Sequence, residues 1–344
     1  MSKKIESMRV ARMQQSEHQV RQLSQADDAQ VLKKKRRKKR RKIILLIFLS
    51  ILAIGLYFGA DIYLRARNTF NNIFHEVDTD DMRDGQGIRL GDDPFSTLII
   101  GVDSDGPNDF GRTDTIMLVT VNPTLNTTYI VSIARDTMVW IDGRQTRINH
   151  AFAYGMAGAA GSINAVQSFL NVPIDRYVQI EMDGFGPIID SVGGIRVYNN
   201  TAAFSMGGYH FPLGYIDLTG NSALYFVRHR RTDGDYGRQA RQRMVTAAMM
   251  QEVAGSLLTN YADILRVAED NMLTDVSFPD MFTIALNYAG AVGNITSLEL
   301  RGYGQMINGM ALQVVPEERR LAMEHRLREH LELEIERGYN HDGY

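Results

Sequence analysis

The first forty-two residues are polar and show no apolar periodicity, whereas the eighteen that follow, Ile43 to Ala60, contain no charge. A helix rises about 1.5 Å per residue, so eighteen residues span roughly 27 Å, close to one hydrocarbon thickness. The apolar stretch is longer than the hydrophobic region of a signal peptide, begins well inside the chain, and is followed by no small-x-small cleavage site. It predicts one N-terminal transmembrane helix over 43–64 behind a tail of residues 1–42. A juxtamembrane stalk is expected over 65–94, ending in the acidic, glycine-containing stretch from Asp80 to Gly87.

Beyond the stalk the period changes. Ser96–Val102 is a short, nearly continuous apolar run of the kind that forms a buried strand. Similar runs follow at 115–121 and 128–133, with Asn122-Pro123 and Asn126 between them, which predicts two antiparallel strands joined by a short turn. Residues 149–170 have helical spacing, 177–182 read as a strand, and 184–191 as a helix before Val192-Gly193-Gly194. A long helical pattern runs from Gly237 to about Leu258, with further helices over 261–271, 279–292 and 316–336 and a strand near 296–301. Strands alternating with helices predict an α/β fold. The expected architecture is a layered α-β-α sandwich with a central mixed sheet over 95–337, closed by a short tail over 338–344.

Charge sharpens this division. The formal net charge of −2 hides ten consecutive cations at 33–42. Cations on the N-terminal flank of the span place that end in the cytoplasm and the rest outside. They also suit an anionic inner leaflet. A nucleic-acid role is set aside, because the tail is short and shows no helix-turn-helix pattern. Cysteine is absent, in keeping with an exported domain that does without disulfides. After Lys42 there is no lysine, so the 23 later cations are all arginine, against 36 Asp and Glu. Six of those arginines fall between 228 and 243. A domain that repels anions on average, yet gathers arginine in one place, builds a local anion site.

That place is the run from Arg228 to Gln242, with five arginines, Asp233, Asp235, Gly234 and Gly237, directly after the apolar segment 223–227. Guanidinium forks match phosphate oxygens in pairs, which points to a polyanion such as a pyrophosphate. Arg228 and Arg230 share a face of an extended segment. Arg238 and Gln242 share a face of a helix start, where free N–H groups and the helix dipole also favour phosphate. Asp235 is either an N-cap or a carboxylate beside the site. Upstream, Asp103-Ser104-Asp105 leaves one strand and Arg112-Thr113-Asp114-Thr115 enters the next. Acids at strand ends hold divalent cations beside ligand crevices, so Asp103 and Asp114 can share an ion, or can simply turn the chain with Gly106, Pro107 and Gly111. Arg135 emerges at the same sheet edge as Asp114. As a surface pair the two would contribute about 0–1 kcal/mol, and beside a phosphate far more. No G-x-S-x-G, P-loop, H-E-x-x-H or dinucleotide fingerprint is present. The eight histidines do not cluster, and His150, His210 and His229 read as ordinary polar residues.

Together these blocks resemble the LytR–CpsA–Psr family of bacterial cell-wall phosphotransferases, from about Thr97 to Val245. The resemblance rests on Gly-x-Asp-Ser after an apolar strand, Arg-Thr-Asp-Thr, Ala-Arg-Asp-Thr, and Arg-x-Arg followed by Asp-x-x-Arg-x-x-Arg-Gln. Ile148–Gly155, Asp183-Gly184-Phe185 and Gly193-Gly194 add to it. It implies transfer of an anionic or capsular glycopolymer from a polyprenyl pyrophosphate carrier to peptidoglycan, in a single-pass protein of the cell membrane with its catalytic domain outside. It further implies Mg²⁺ or Mn²⁺ on Asp103 and Asp114, and pyrophosphate on Arg135, Arg228, Arg230, Arg238, Arg241 and Gln242. Asp235 would stand near the reacting phosphate, and the lipid tail in an apolar groove of the core. Asp105 stands where the family usually has arginine, so Arg112 is the candidate replacement in catalysis. Ala134 replaces a common proline, and the spacing from Arg230 to Arg238 is tight. The rival expectations are hydrolysis of the lipid carrier and a membrane-bound, polyanion-binding regulator.

Overall fold

The computed structural model describes residues 2–83, 87–103, 111–154, 157–256 and 259–335, without the side chains of 2–36, 38 and 112. The chain divides into two units, Met1–Tyr63 and Leu64–Tyr344. Helix α1, Ser2–Ile73, supplies the first unit and enters the second. Its stretch Lys39–Ile73 is long and apolar enough to cross a membrane.

In the second unit, β1 (Phe95–Asp103), β2 (Arg112–Asn122) and β3 (Thr127–Ile133) form an antiparallel meander. Asn126 makes the β2–β3 turn at φ 50°. A hairpin follows, β4 (Met138–Ile141) with β5 (Arg144–Arg147), then α2 (Gly158–Leu170), β6 (Arg176–Glu181), α3 (Phe185–Ser191) and β7 (Ile195–Asn199). The middle of the chain continues with the β8 (Phe204–Met206) and β9 (Tyr209–Phe211) hairpin, β10 (Gly214–Leu218), α4 (Gly220–Arg228) and α5 (Gly234–Ser256). After α6 (Tyr261–Asn271), β11 (Met272–Thr274), α7 (Phe278–Asn287), α8 (Ala289–Val292) and β12 (Ile295–Glu299) comes a third hairpin. This is β13 (Tyr303–Ile307) with β14 (Met310–Val314), and α9 (Glu317–His330) closes the described chain. The central sheet is mixed, in the order β11-β6-β1-β2-β3-β12, with the β1–β6 and β3–β12 pairs parallel.

Alternation along the strands fills both faces. Leu98, Ile100, Ile116, Leu118, Val131 and Ile133 pack under α2 and α9. The other face carries two clusters. One joins Ile180 to residues of α3, α4 and α5, and the other joins Phe95, Met117 and Ile130 to Tyr288 and Ala291. The α-β-α layering follows from strands apolar on both sides.

Three expectations change. The segment 65–94 is no free stalk. Its helical start buries Ala66 and Ile73, and Thr69 and Asn72 donate to Glu269 at 3.1 and 2.7 Å. Arg83 then pairs with Asp175 at 2.6 Å. The helix expected over 279–292 breaks at Tyr288, whose hydroxyl donates to Asp93 O at 2.6 Å and accepts from Gly91 N at 2.9 Å. The three hairpins, none of them foreseen, carry two-residue turns with positive φ at Asp142-Gly143, Gly207-Gly208 and Asn308-Gly309.

Candidate active site

The site begins with an irregularity in the sheet. Gly101 pairs with Thr115 but Val102 pairs with Thr113, so Asp114 is an extra residue in a β-bulge. A bulge re-aims its side chain out of the regular alternation. Because Ile116 lies opposite Ile133, the first residues of β2 and those following β3 share one edge. There Arg135 Nη1 donates to Asp114 Oδ1 at 2.6 Å. Burial works against the Arg135 cation, but Asp114, with Asp235 and Asp136 at longer range, outweighs it and raises its pKa.

The α4–α5 loop closes the other side. Gly234, at φ 70°, turns the chain and donates to Arg230 O at 2.9 Å, so α5 starts with Asp235 in its first turn. Asp235 Oδ1 takes Arg238 Nη2 at 2.8 Å and lies 3.8 Å from Arg230 Nε, while Oδ2 accepts from Gln239 at 3.1 Å. Arg238 is buried and its Nε has no hydrogen-bond partner among the described residues. Burial depresses the Arg238 pKa and Asp235 opposes this, while the neighbouring Arg230 and Arg135 depress it further. Three guanidiniums thus crowd around Asp114 and Asp235, one with an open buried donor. An unmet buried donor costs about 1–3 kcal/mol.

An apolar cavity adjoins this centre, lined by Ile99, Met117, Ile180, Phe185, Val227 and Met249. Thr115 and Gln242, hydrogen-bonded to each other at 3.1 Å, stand at its polar end with Gly101 and Glu181. Asp103 is exposed at the end of β1, opposite Arg112 in register, and Arg112's side chain lies outside the described residues. Among the described residues no three His, Asp or Glu side chains converge. Asp103 and Asp114 nevertheless offer two hard oxygen donors on neighbouring strands at one sheet edge. That number suits Mg²⁺ or Mn²⁺ when substrate phosphate and water fill the remaining positions.

The sequence pattern of the LytR_cpsA_psr family matches residues 59–329. The chain belongs to this family. A LytR_cpsA_psr relative from Enterococcus faecalis is 39% identical over 292 residues, covering 83% of this chain and 93% of its own length. One from Bacillus subtilis is 41% identical over 270 residues, covering 77% and 86%. Each is named a polyisoprenyl-teichoic acid–peptidoglycan teichoic acid transferase, TagU. The crystal structure of B. subtilis TagU is similar in fold, with a TM-score of 0.56 at 38% identity, covering 71% of this chain and 99% of that one.

Not every arginine expected at a LytR_cpsA_psr pyrophosphate joins the centre. Arg241 is wholly buried and spent internally. Its Nη1 and Nη2 meet Asp233 at 2.6 and 3.0 Å, and its Nε donates to Phe226 O at 2.9 Å. Nη2 reaches His229 O at 2.5 Å, and the guanidinium lies 5.0 Å from the Phe204 ring centroid. A Cβ on Gly237 would fall 1.9 Å from the Asp233 carboxyl carbon, so glycine there keeps the Asp233–Arg241 lock open. Arg228 is exposed in the last turn of α4, next to the cavity-lining Val227, and the exposed Arg230 reaches Asp235. Sequence reasoning missed Gln239, Thr115 and Tyr236. Gln239 was legible as the residue four beyond Asp235, whereas the Tyr236 contacts described below join segments far apart in sequence.

Proposed function

We propose that this chain transfers a teichoic-acid-type glycopolymer from a polyprenyl pyrophosphate carrier to a hydroxyl of peptidoglycan. The observation that carries the reading is the arginine cluster, with its open Arg238 donor, set beside an apolar cavity. A ligand with a pyrophosphate head and a hydrocarbon tail answers to both. The names of the E. faecalis and B. subtilis relatives support the same substrate pair.

Phosphoryl transfer needs positioning and charge neutralisation more than a protein nucleophile. Arg135, Arg230 and Arg238 hold the phosphate oxygens, with Arg228 next to the cavity-lining Val227. Gln242 orients the head where the tail enters the cavity. The acceptor oxygen attacks the phosphorus that bears the glycan, the anhydride P–O bond breaks, and the carrier leaves as polyprenyl monophosphate. Asp235, held near the reacting phosphate, takes the acceptor's proton. Asp103 and Asp114 would hold Mg²⁺, which supplies neutralisation of pyrophosphate charge when bound. The α1 span anchors the enzyme with its basic tail in the cytoplasm and the domain outside, where carrier and wall meet.

The test uses the full chain in lipid nanodiscs, with a polyprenyl-pyrophosphate glycan, peptidoglycan strands and Mg²⁺. Glycan covalently attached to the strands supports the transferase. Release of free glycan instead means hydrolysis, and binding without turnover means a polyanion receptor.

A further inference from the structure

The phosphate centre has unlike neighbours along the sheet edge. Toward β6, β1 and β2 lies the apolar cavity. Toward β3 and β12 stands a wall that the transfer step described above leaves unused. Tyr236, next to Asp235, donates its hydroxyl to Gly302 O at 2.9 Å and accepts from Gly302 N at 2.8 Å and from the Gln313 side-chain amide. The Arg301 guanidinium lies 5.2 Å from the Tyr236 ring centroid, and its Nε meets Glu299 at 2.9 Å. Gln313 N donates to Asp136 O at 2.8 Å and Thr137 bridges to Gln313, which places the β13–β14 hairpin against the residues directly after Arg135. Arg147 donates to Ala311 O at 3.2 Å and ties in the β4–β5 hairpin.

We infer that this two-hairpin rim is the subsite for the acceptor, a peptidoglycan strand; the inference rests on the transfer reading above. Displacement at phosphorus is roughly in line, so the entering oxygen and the departing phosphate stand on opposite sides. With the carrier's tail in the cavity on the β6 side, the acceptor enters from the β12 side, over Tyr236. The rim has the chemistry for such a strand. Trp140, the only tryptophan in the chain, is 56% exposed on β4, and Tyr303 is 54% exposed on β13. Exposed aromatic faces are adapted to the C–H faces of sugar rings. In a domain rich in carboxylates, the rim carries Arg144, Arg147 and Arg301, which complement the stem-peptide carboxylates of the acceptor. Glu299 is the paired exception, and Asp142 sits in the β4–β5 turn.

The experiment measures transfer by the full chain in nanodiscs while donor and soluble peptidoglycan strands are varied separately. Arg301→Ala and Trp140→Ala remove exposed side chains, and Arg196→Ala, an exposed arginine on β7, is the control. The expected result is a rise of about tenfold in acceptor KM in both rim variants, with donor KM unchanged and the control like wild type. Unchanged acceptor KM in both rim variants, or an equal rise in donor KM, overturns the subsite while leaving the transferase reading intact. Failure of the wild-type chain to transfer at all removes both.

Discussion

Two arginines three positions apart on α5 do opposite work. Arg238 meets Asp235 at the centre and keeps an unpartnered Nε among the described residues, whereas Arg241 is locked to Asp233 with no exposed surface. Arg238→Ala should lower transfer by about 10²–10³-fold, as loss of one charge-stabilising donor typically does, with the thermal transition close to wild type. Arg241→Met should instead destabilise the fold by about 3–5 kcal/mol, because the partly buried Asp233 and the carbonyls of Phe226 and His229 all lose their donor. Urea unfolding checks the second, and a stability change below about 1 kcal/mol would contradict the structural role. Arg241→Lys should rescue little, since an ammonium cannot make the paired contact. The clustering of arginines was legible in the sequence, and their division of labour was not. The sign that could have separated them is the Asp233, Gly237, Arg241 series at four-residue steps, an acid and a base sharing a helix face across a glycine. The Asp114 bulge was illegible, since one extra residue in a strand leaves no trace in an apolar run.

At the level of elements, the β1–β2–β3 meander and the long α5 were readable because their apolar periods are strong. The hairpins were not. Arg144-Gln145-Thr146-Arg147 has no apolar face, and only the Asp142-Gly143 and Asn308-Gly309 pairs, suited to turns with two positive φ values, announce the reversals. The closing helix was expected to run to 336 and stops at His330, where the histidine is spent on the sheet. Its Nδ1 and Nε2 lie 2.8 Å from the hydroxyls of Thr120 and Thr127, and its ring stacks on Tyr129 at 4.0 Å. Burial, aided by Arg326, pushes the His330 pKa down to about 4. The unfolded chain takes up that proton near pH 6.5. The stability is therefore fully present above pH 6.5 and is lost as pH falls toward 4. Denaturation midpoints recorded from pH 7 to pH 5 should decline in wild type and decline less in His330→Phe. Parallel slopes would mean that His330 does not titrate in this way.

For the whole molecule, the boundary between anchor and domain falls inside a helix. Leu64–Ile73 packs on α6 and α7, with Phe70 against Phe278 and Ala66 and Ile73 buried, so the domain uses the last turns of its own membrane helix as structure. A soluble domain cut at Leu64 should melt several degrees above one cut at Asp78, since about 1 kcal/mol corresponds to roughly 2–4 °C at this size. Equal melting temperatures would show the docking to be idle. The architecture also has a temporal side. The strand that leads to Arg135 pairs in parallel with β12, the helix bearing Arg238 begins a hundred residues later, and Gln313 closes the wall later still. Pairings so distant in sequence form slowly and last. A nascent chain that has emerged only through its first hairpin therefore carries the Asp114–Arg135 edge with nothing facing it. The phosphate centre is thus incomplete until α5 has been made.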